Sequence, residues 1–93
     1  MKKLEIIIEA VERRRVCRIL DEVGVSGYTV IDDLQGRGKT GSKNASDLSN
    51  ILKSSMIIVV DEDTVIYNAI EKLKEVFKFY SGKMFLSDIQ VID

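Results

Sequence analysis

The chain has no histidine and one cysteine, Cys17. A lone cysteine cannot close an internal disulfide, and without histidine, or Cys and Asp at ligand spacing, no metal site can be read from the sequence. At 93 residues the chain makes one domain, and a domain of that size buries only about 60 to 65% of the surface its unfolded chain exposes. With staples and metal missing, association between copies is the expected source of extra stability. Cys17 falls among the apolar positions of an expected helix and reads as core packing.

Charge of one sign is also lacking: 14 basic residues stand against 15 acidic ones, a formal net charge of −1. No global basic field exists to hold nucleic acid, so any anion site must be local. No apolar run reaches the ~20 residues that span a bilayer. The opening MKKLEIIIEA has neither a long apolar core nor a small-residue cleavage site. The expectation is a cytoplasmic protein.

What is present is a clear alternation of periods. Leu4 to Ala10 alternates as a first strand with Leu4, Ile6 and Ile8 inward. Val11 to Val23 is helical, with Val16, Ile19, Leu20 and Val23 on one stripe, Glu12 to Arg15 on the wet side and Gly24 as the stop. The three arginines there are expected to pair with Glu9, Glu12 or Asp21. Gly27 to Leu34 is a β-branched second strand, and Met56 to Val60 is a short apolar run suited to a central third strand. From an acidic start at Asp61 to Asp63, Ile66, Ala69, Ile70, Leu73, Val76, Phe77 and Tyr80 predict a second helix. Lys83 to Ile92 alternates as a fourth strand, with Phe85, Ser87, Ile89 and Val91 sharing a side.

The order βαββαβ predicts an α+β, ferredoxin-like sandwich: a four-stranded antiparallel sheet with both helices on one face. Ile7 with some of Tyr28, Val30, Met84, Leu86 and Ile57 or Val59 is expected on the other face. A half-apolar surface of that kind marks an interface. RNA-recognition folds stack bases there on central-strand aromatics, and the first and third strands carry none. A closed ring of subunits fits better.

Between the second and third strands lies a long irregular stretch, Gln35 to Ser55, with three glycines and five serines. Long loops in compact domains are generally functional. Within it, Gly36-Arg37-Gly38-Lys39-Thr40-Gly41-Ser42-Lys43 combines glycines, which let backbone amides approach a ligand, with cations to pair phosphate. It is not a Walker A loop, because the first glycine that motif requires falls at Asp33. A second glycine-lysine pair, Gly82-Lys83, stands before the fourth strand.

The strings GVSGYTVIDDLQGRGKTG and SGKMFLSDIQVI, in this element order, resemble the PII signalling superfamily, closest to the PII-like regulators associated with bicarbonate transporters and carboxysomes. The resemblance spans nearly all of a single domain over residues 1–93. It implies a homotrimer that binds an adenine nucleotide in clefts between subunits. Ile7, Thr29 and Val59 would line the adenine and ribose pocket, and Gly36, Arg37, Gly38 and Lys39 would meet phosphates together with Gly82 and Lys83. Residues 35–55 would form that family's T-loop, offering Thr40, Ser42, Lys43, Asn44, Asp47 and Asn50 to a membrane transporter or a regulated enzyme, with peripheral placement at the inner membrane through the transporter.

The chain stops at Asp93 without the basic C-terminal segment of conventional members, so AMP, ADP or cyclic AMP is expected ahead of ATP as regulatory ligand, with bicarbonate a further candidate. Residues 35–55 hold no tyrosine, which excludes tyrosine uridylylation. No tightly bound cofactor, catalytic set or nucleic-acid partner is implied. The alternatives on the same fold are slow nucleotide hydrolysis and a structural or metal-tolerance trimer.

Overall fold

The computed structural model describes residues 1–36 and 53–93. Its elements run β1 Lys2–Glu9, a 3-10 turn Ala10–Glu12, α1 Arg13–Val23, β2 Tyr28–Leu34, β3 Ser54–Asp61, α2 Asp63–Phe77 and β4 Gly82–Asp88. One four-stranded sheet has the order β2-β3-β1-β4, and every neighbouring pair is antiparallel. This is the ferredoxin-like βαββαβ arrangement, with β1 and β3 central.

The core follows from two periods meeting. Leu4, Ile6 and Ile8 of β1 and Ile57 and Val59 of β3 turn to one side of the sheet. Val16 and Leu20 of α1 and Ile66, Ala69, Leu73 and Val76 of α2 close over them, all fully buried. Burying a Val, Leu or Ile side chain contributes about 1.5–3 kcal/mol, so this cluster is the main source of stability within the protomer. Cys17 packs half-buried against it.

Register decides the other face, and there the expectation needs correction. Tyr28 pairs with Val59 and Val30 with Ile57, while Met84 lies across from Ile6 and Leu86 from Leu4. Tyr28, Val30, Ile57, Val59, Met84 and Leu86 therefore all lie on the helix side, with Leu4 and Ile6. Of the residues expected on the open face, only Ile7 is there. Its companions are Thr29 and Ile31 of β2, Met56, Ile58 and Val60 of β3, and Lys83, Phe85 and Ser87 of β4. A continuous apolar run such as MIIVV has no period of its own, so only pairing fixes which of its residues turn inward.

Several element ends also differ. α1 begins at Arg13 because Ala10–Glu12 forms the tighter 3-10 turn. α2 stops at Phe77, leaving Tyr80 in the turn beyond. β4 ends at Asp88 rather than Ile92: Asp88 stands opposite Lys2, the first residue of β1, and just beyond it the Ile89 N–H donates to the Met1 carbonyl at 3.4 Å. There the Lys2 ammonium donates to the Asp88 carboxylate and holds that carboxyl below the usual range.

Gly24 stops α1 as expected, at φ 89°, with its N–H on the Leu20 and Asp21 carbonyls; left-handed backbone is the conformation glycine adopts without steric cost.

Asp61, at the end of β3 and nearly buried, ties two turns together. Its Oδ2 accepts from the Ser26 backbone N–H (2.8 Å) and hydroxyl (3.1 Å), and its Oδ1 accepts from the Glu62 N–H (2.8 Å). These donors favour the carboxylate and hold its pKa below the ordinary value. The stability such a depressed pKa contributes is fully present above the unfolded value of about 3.9 and is lost as pH falls through the lower folded value. Asp61→Ala is expected to lower stability by about 2 kcal/mol at pH 7, read by urea unfolding. The gap between wild type and Asp61→Asn should narrow as pH falls from 5 to 2; a gap that widens contradicts the assignment.

Candidate functional site

Gly36, the described start of one segment read as phosphate-binding, lies at the same end of the sheet as the other, Gly82-Lys83. β2 finishes at Leu34 opposite Ser54, Glu9 ends β1 opposite the same Ser54, and Gly82 begins β4 opposite Ile8. Gly36, where the described chain leaves β2, and Lys53, where it returns, thus share an end of the molecule with Gly82 and Lys83. They lie at opposite edges: β2 and β4 are separated by β3 and β1, roughly 14 Å across at a strand spacing of about 4.8 Å.

At the β4 edge, the start of the strand is seated directly on β1. Gly82 has room for no side chain: a Cβ there would stand 2.2 Å from the Ile7 carbonyl oxygen and 2.7 Å from the Phe77 ring. Ser81 donates its N–H to Glu9 Oε2 at 2.7 Å, which ties the turn before Gly82 to the end of β1. Lys83 comes next on the open face, directly across from Ile7. An apolar side chain, a cation and a tethered turn with no side-chain bulk at Gly82 stand together, a combination suited to a flat apolar group carrying phosphate.

The open face between the edges is arranged in cross-strand rows. Thr29, Ile58, Glu5 and Phe85 form one, and Ile31, Met56, Ile7 and Lys83 the next towards the loop end. Ile31 and Phe85 are 41% and 49% exposed, so apolar surface runs across the sheet to both edges. Ile7 and Thr29 share this face, with Thr29 at the β2 edge.

Val59 does not share it. It is fully buried beneath the helices, and the β3 residue beside Thr29 on the open face is Ile58. Its place in a pocket with Ile7 and Thr29 is corrected accordingly, since neighbouring strand residues point to opposite faces. Arg37, Gly38, Lys39, Thr40, Ser42, Lys43, Asn44, Asp47 and Asn50 lie outside the described residues.

Sequence reasoning missed the anchoring of the loop's two stems. By composition Asp32 and Asp33 read as strand-end solvation. Instead Asp32 Oδ1 accepts from the buried Ser55 hydroxyl at 2.7 Å and forms an ion pair with Arg13, 3.2 Å from its Nε, and Lys53 Nζ lies 3.8 Å from Asp33 Oδ1. Arg13 thus pairs with Asp32 rather than with Glu9, Glu12 or Asp21; Arg15 pairs with Glu12 as expected. The Lys53 carbonyl accepts the Ala10 N–H at 2.9 Å. Each of the stem contacts joins residues far apart in sequence, and no local pattern announces it.

Comparison with known proteins gives a consistent picture. The family model described as nitrogen regulatory protein P-II matches residues 1–93. Among solved structures, CPII, a nitrogen regulatory PII-like protein from Thiomonas intermedia K12 bound to ADP, AMP and bicarbonate, is 32% identical with a TM-score of 0.81, covering 99% of this chain and 92% of that one. The same protein bound to ADP and bicarbonate is 33% identical at a TM-score of 0.79, covering 97% and 86%. A protein from Thermus thermophilus described as a PII-like signaling protein shares the fold at a TM-score of 0.77 with 18% identity, covering 98% and 88%. None of the curated proteins matches the chain.

Proposed function

The chain belongs to the nitrogen regulatory protein P-II family, and from that premise we propose that it is a regulatory sensor that binds an adenine nucleotide in clefts between the subunits of a homotrimer. The observation that carries this reading is the placement of the two loop stems and of Gly82-Lys83 at one end of the sheet but on opposite edges. In a closed ring each protomer presents its β2 edge to the β4 edge of the next, so the gap that separates the clusters within one protomer disappears between two. The apolar open face then lines the ring's contacts, with Ile7 and Thr29 in the pocket and Gly36, Arg37, Gly38, Lys39, Gly82 and Lys83 around the phosphates.

ADP or AMP is the ligand class, supported by a relative that is 32% identical and bound to ADP, AMP and bicarbonate. Bicarbonate is the proposed second signal. Response passes to a partner, a bicarbonate or other membrane transporter or a regulated enzyme, through residues 37–52. A ligand changes the partner-binding state only by contacting one state more than another. No helix among the described residues is long and apolar enough to cross a membrane; the proposed contact with a membrane is made through the transporter.

Titration calorimetry with ADP, AMP and adenosine, with and without bicarbonate, tests the reading. Lys83→Ala is expected to weaken ADP by about 10- to 100-fold, the worth of one charge-assisted hydrogen bond of ~1.5–3 kcal/mol, and to leave adenosine within about twofold. Equal loss for both ligands removes Lys83 from the phosphate site. Magnesium-dependent phosphate release, the mark of the hydrolytic alternative, is expected to be absent.

A further inference from the structure

We propose that Asp32 is a positioning residue for the nucleotide response: it clamps the two stems of the β2–β3 connection by holding the Ser55 hydroxyl and the Arg13 guanidinium on one oxygen. The inference rests on the nucleotide reading above. Backbone pairing between β2 and β3 lapses after Ile31 opposite Met56 and resumes only at Leu34 opposite Ser54. Within that gap Asp33 takes a left-handed backbone, φ 60°, which aspartate tolerates better than most residues. The strand is bulged where the chain is about to leave the sheet, and a bulge bends the strand and turns the residues beyond it in a new direction.

Side chains replace the missing ladder bonds. Ser55, two residues after the chain returns at Lys53, is fully buried, and its hydroxyl donates to Asp32 Oδ1 at 2.7 Å. Arg13, the first residue of α1, reaches the same oxygen at 3.2 Å. The outgoing stem, the returning stem and the helix layer therefore meet at a single atom, and the Lys53–Asp33 contact at 3.8 Å adds a second tie beside it. The members are unequal. Arg13 and Asp32 are 40% and 50% exposed, and an ion pair so solvated adds little. The buried hydroxyl is the stronger element, because its donor has no water to turn to. In the proposed ring the outgoing stem leads straight to Gly36 and the phosphate-binding residues, so loosening it costs the phosphate contacts and spares those of the base.

The test combines amide hydrogen exchange on the intact oligomer with calorimetry. Asp32→Ala and Ser55→Ala are expected to speed exchange at Leu34–Gly36 and Lys53–Ser55 by about tenfold, while Lys3–Ile7 is unchanged. Arg13→Ala is expected to change the stems by less than about threefold. Asp32→Ala should weaken ADP about tenfold and adenosine less than twofold, and Asp32→Asn, which retains a carbonyl acceptor, should restore ADP binding to within about threefold of wild type. Unchanged stem exchange in Asp32→Ala, or exchange that rises evenly over the whole sheet, overturns the clamp; so does an Asp32→Asn variant as impaired as Asp32→Ala. A wild-type protein that binds no ADP refutes the sensor reading instead, and the exchange rates at the stems then decide the clamp by themselves.

Discussion

Gly82→Ala is expected to lower the melting temperature by about 15 °C and to abolish measurable ADP binding, since overpacking by backbone contact reaches ~3 kcal/mol and each kcal/mol moves a domain of this size by roughly 4–8 °C. The reason is steric. The added methyl would stand 2.2 Å from the Ile7 carbonyl oxygen and 3.1 Å from Ile8 Cα, and neither can swing away as a side chain would; the Phe77 ring at 2.7 Å blocks the remaining direction. Relief requires the first residues of β4 to lift off β1. That displaces Lys83 from its place across from Ile7 and strains the Ser81 N–H bond to Glu9. Thermal melting with ADP calorimetry reads both effects, and an alanine variant with wild-type melting and affinity would show that β4 need not sit so close.

The second large effect concerns the open face. Ile58→Asp is expected to convert the proposed ring to monomers at micromolar concentration, read by sedimentation. Ile58 stands in the middle of that face, between Thr29 and Glu5 in its row, and Ile31 and Phe85 extend the apolar surface to both edges. An unpaired carboxylate in an apolar contact costs several kcal/mol, and ring symmetry repeats it at every interface. The protomer core lies on the other side of the sheet, so secondary structure should survive. A variant that keeps its oligomer would move the interface elsewhere.

Much of this architecture is legible in the sequence because period and punctuation agree. The alternation of β1 marks Leu4, Ile6 and Ile8 as inward, the α2 stripe marks Ile66, Ala69, Leu73 and Val76, and Gly24 stops α1. The faces of β3 are not legible. MIIVV offers no polar residue to mark one side, so Ile57 or Val59 is expected outward when pairing with β1 turns both inward. The place of Val59 in the pocket is implied by the family resemblance, and the pairing of β3 turns that residue inward instead. Gly82-Lys83 can be picked out by composition, yet why the glycine is there depends on its distance from Ile7, a contact across 75 positions of chain. The Asp32, Ser55 and Arg13 clamp is invisible for a related reason: three polar residues of ordinary type acquire a shared role only when three separate elements bring them to one point.

The central claim, a phosphate-binding cleft that exists only between protomers, is tested most directly by measuring ADP stoichiometry and oligomeric state together, on wild type and on Ile58→Asp. The expected result is a trimer that takes up one ADP per protomer, beside a folded monomeric variant that takes up none. A folded monomer that retains wild-type affinity for ADP would contradict it, because both glycine-basic clusters would then have to serve the nucleotide from within a single chain.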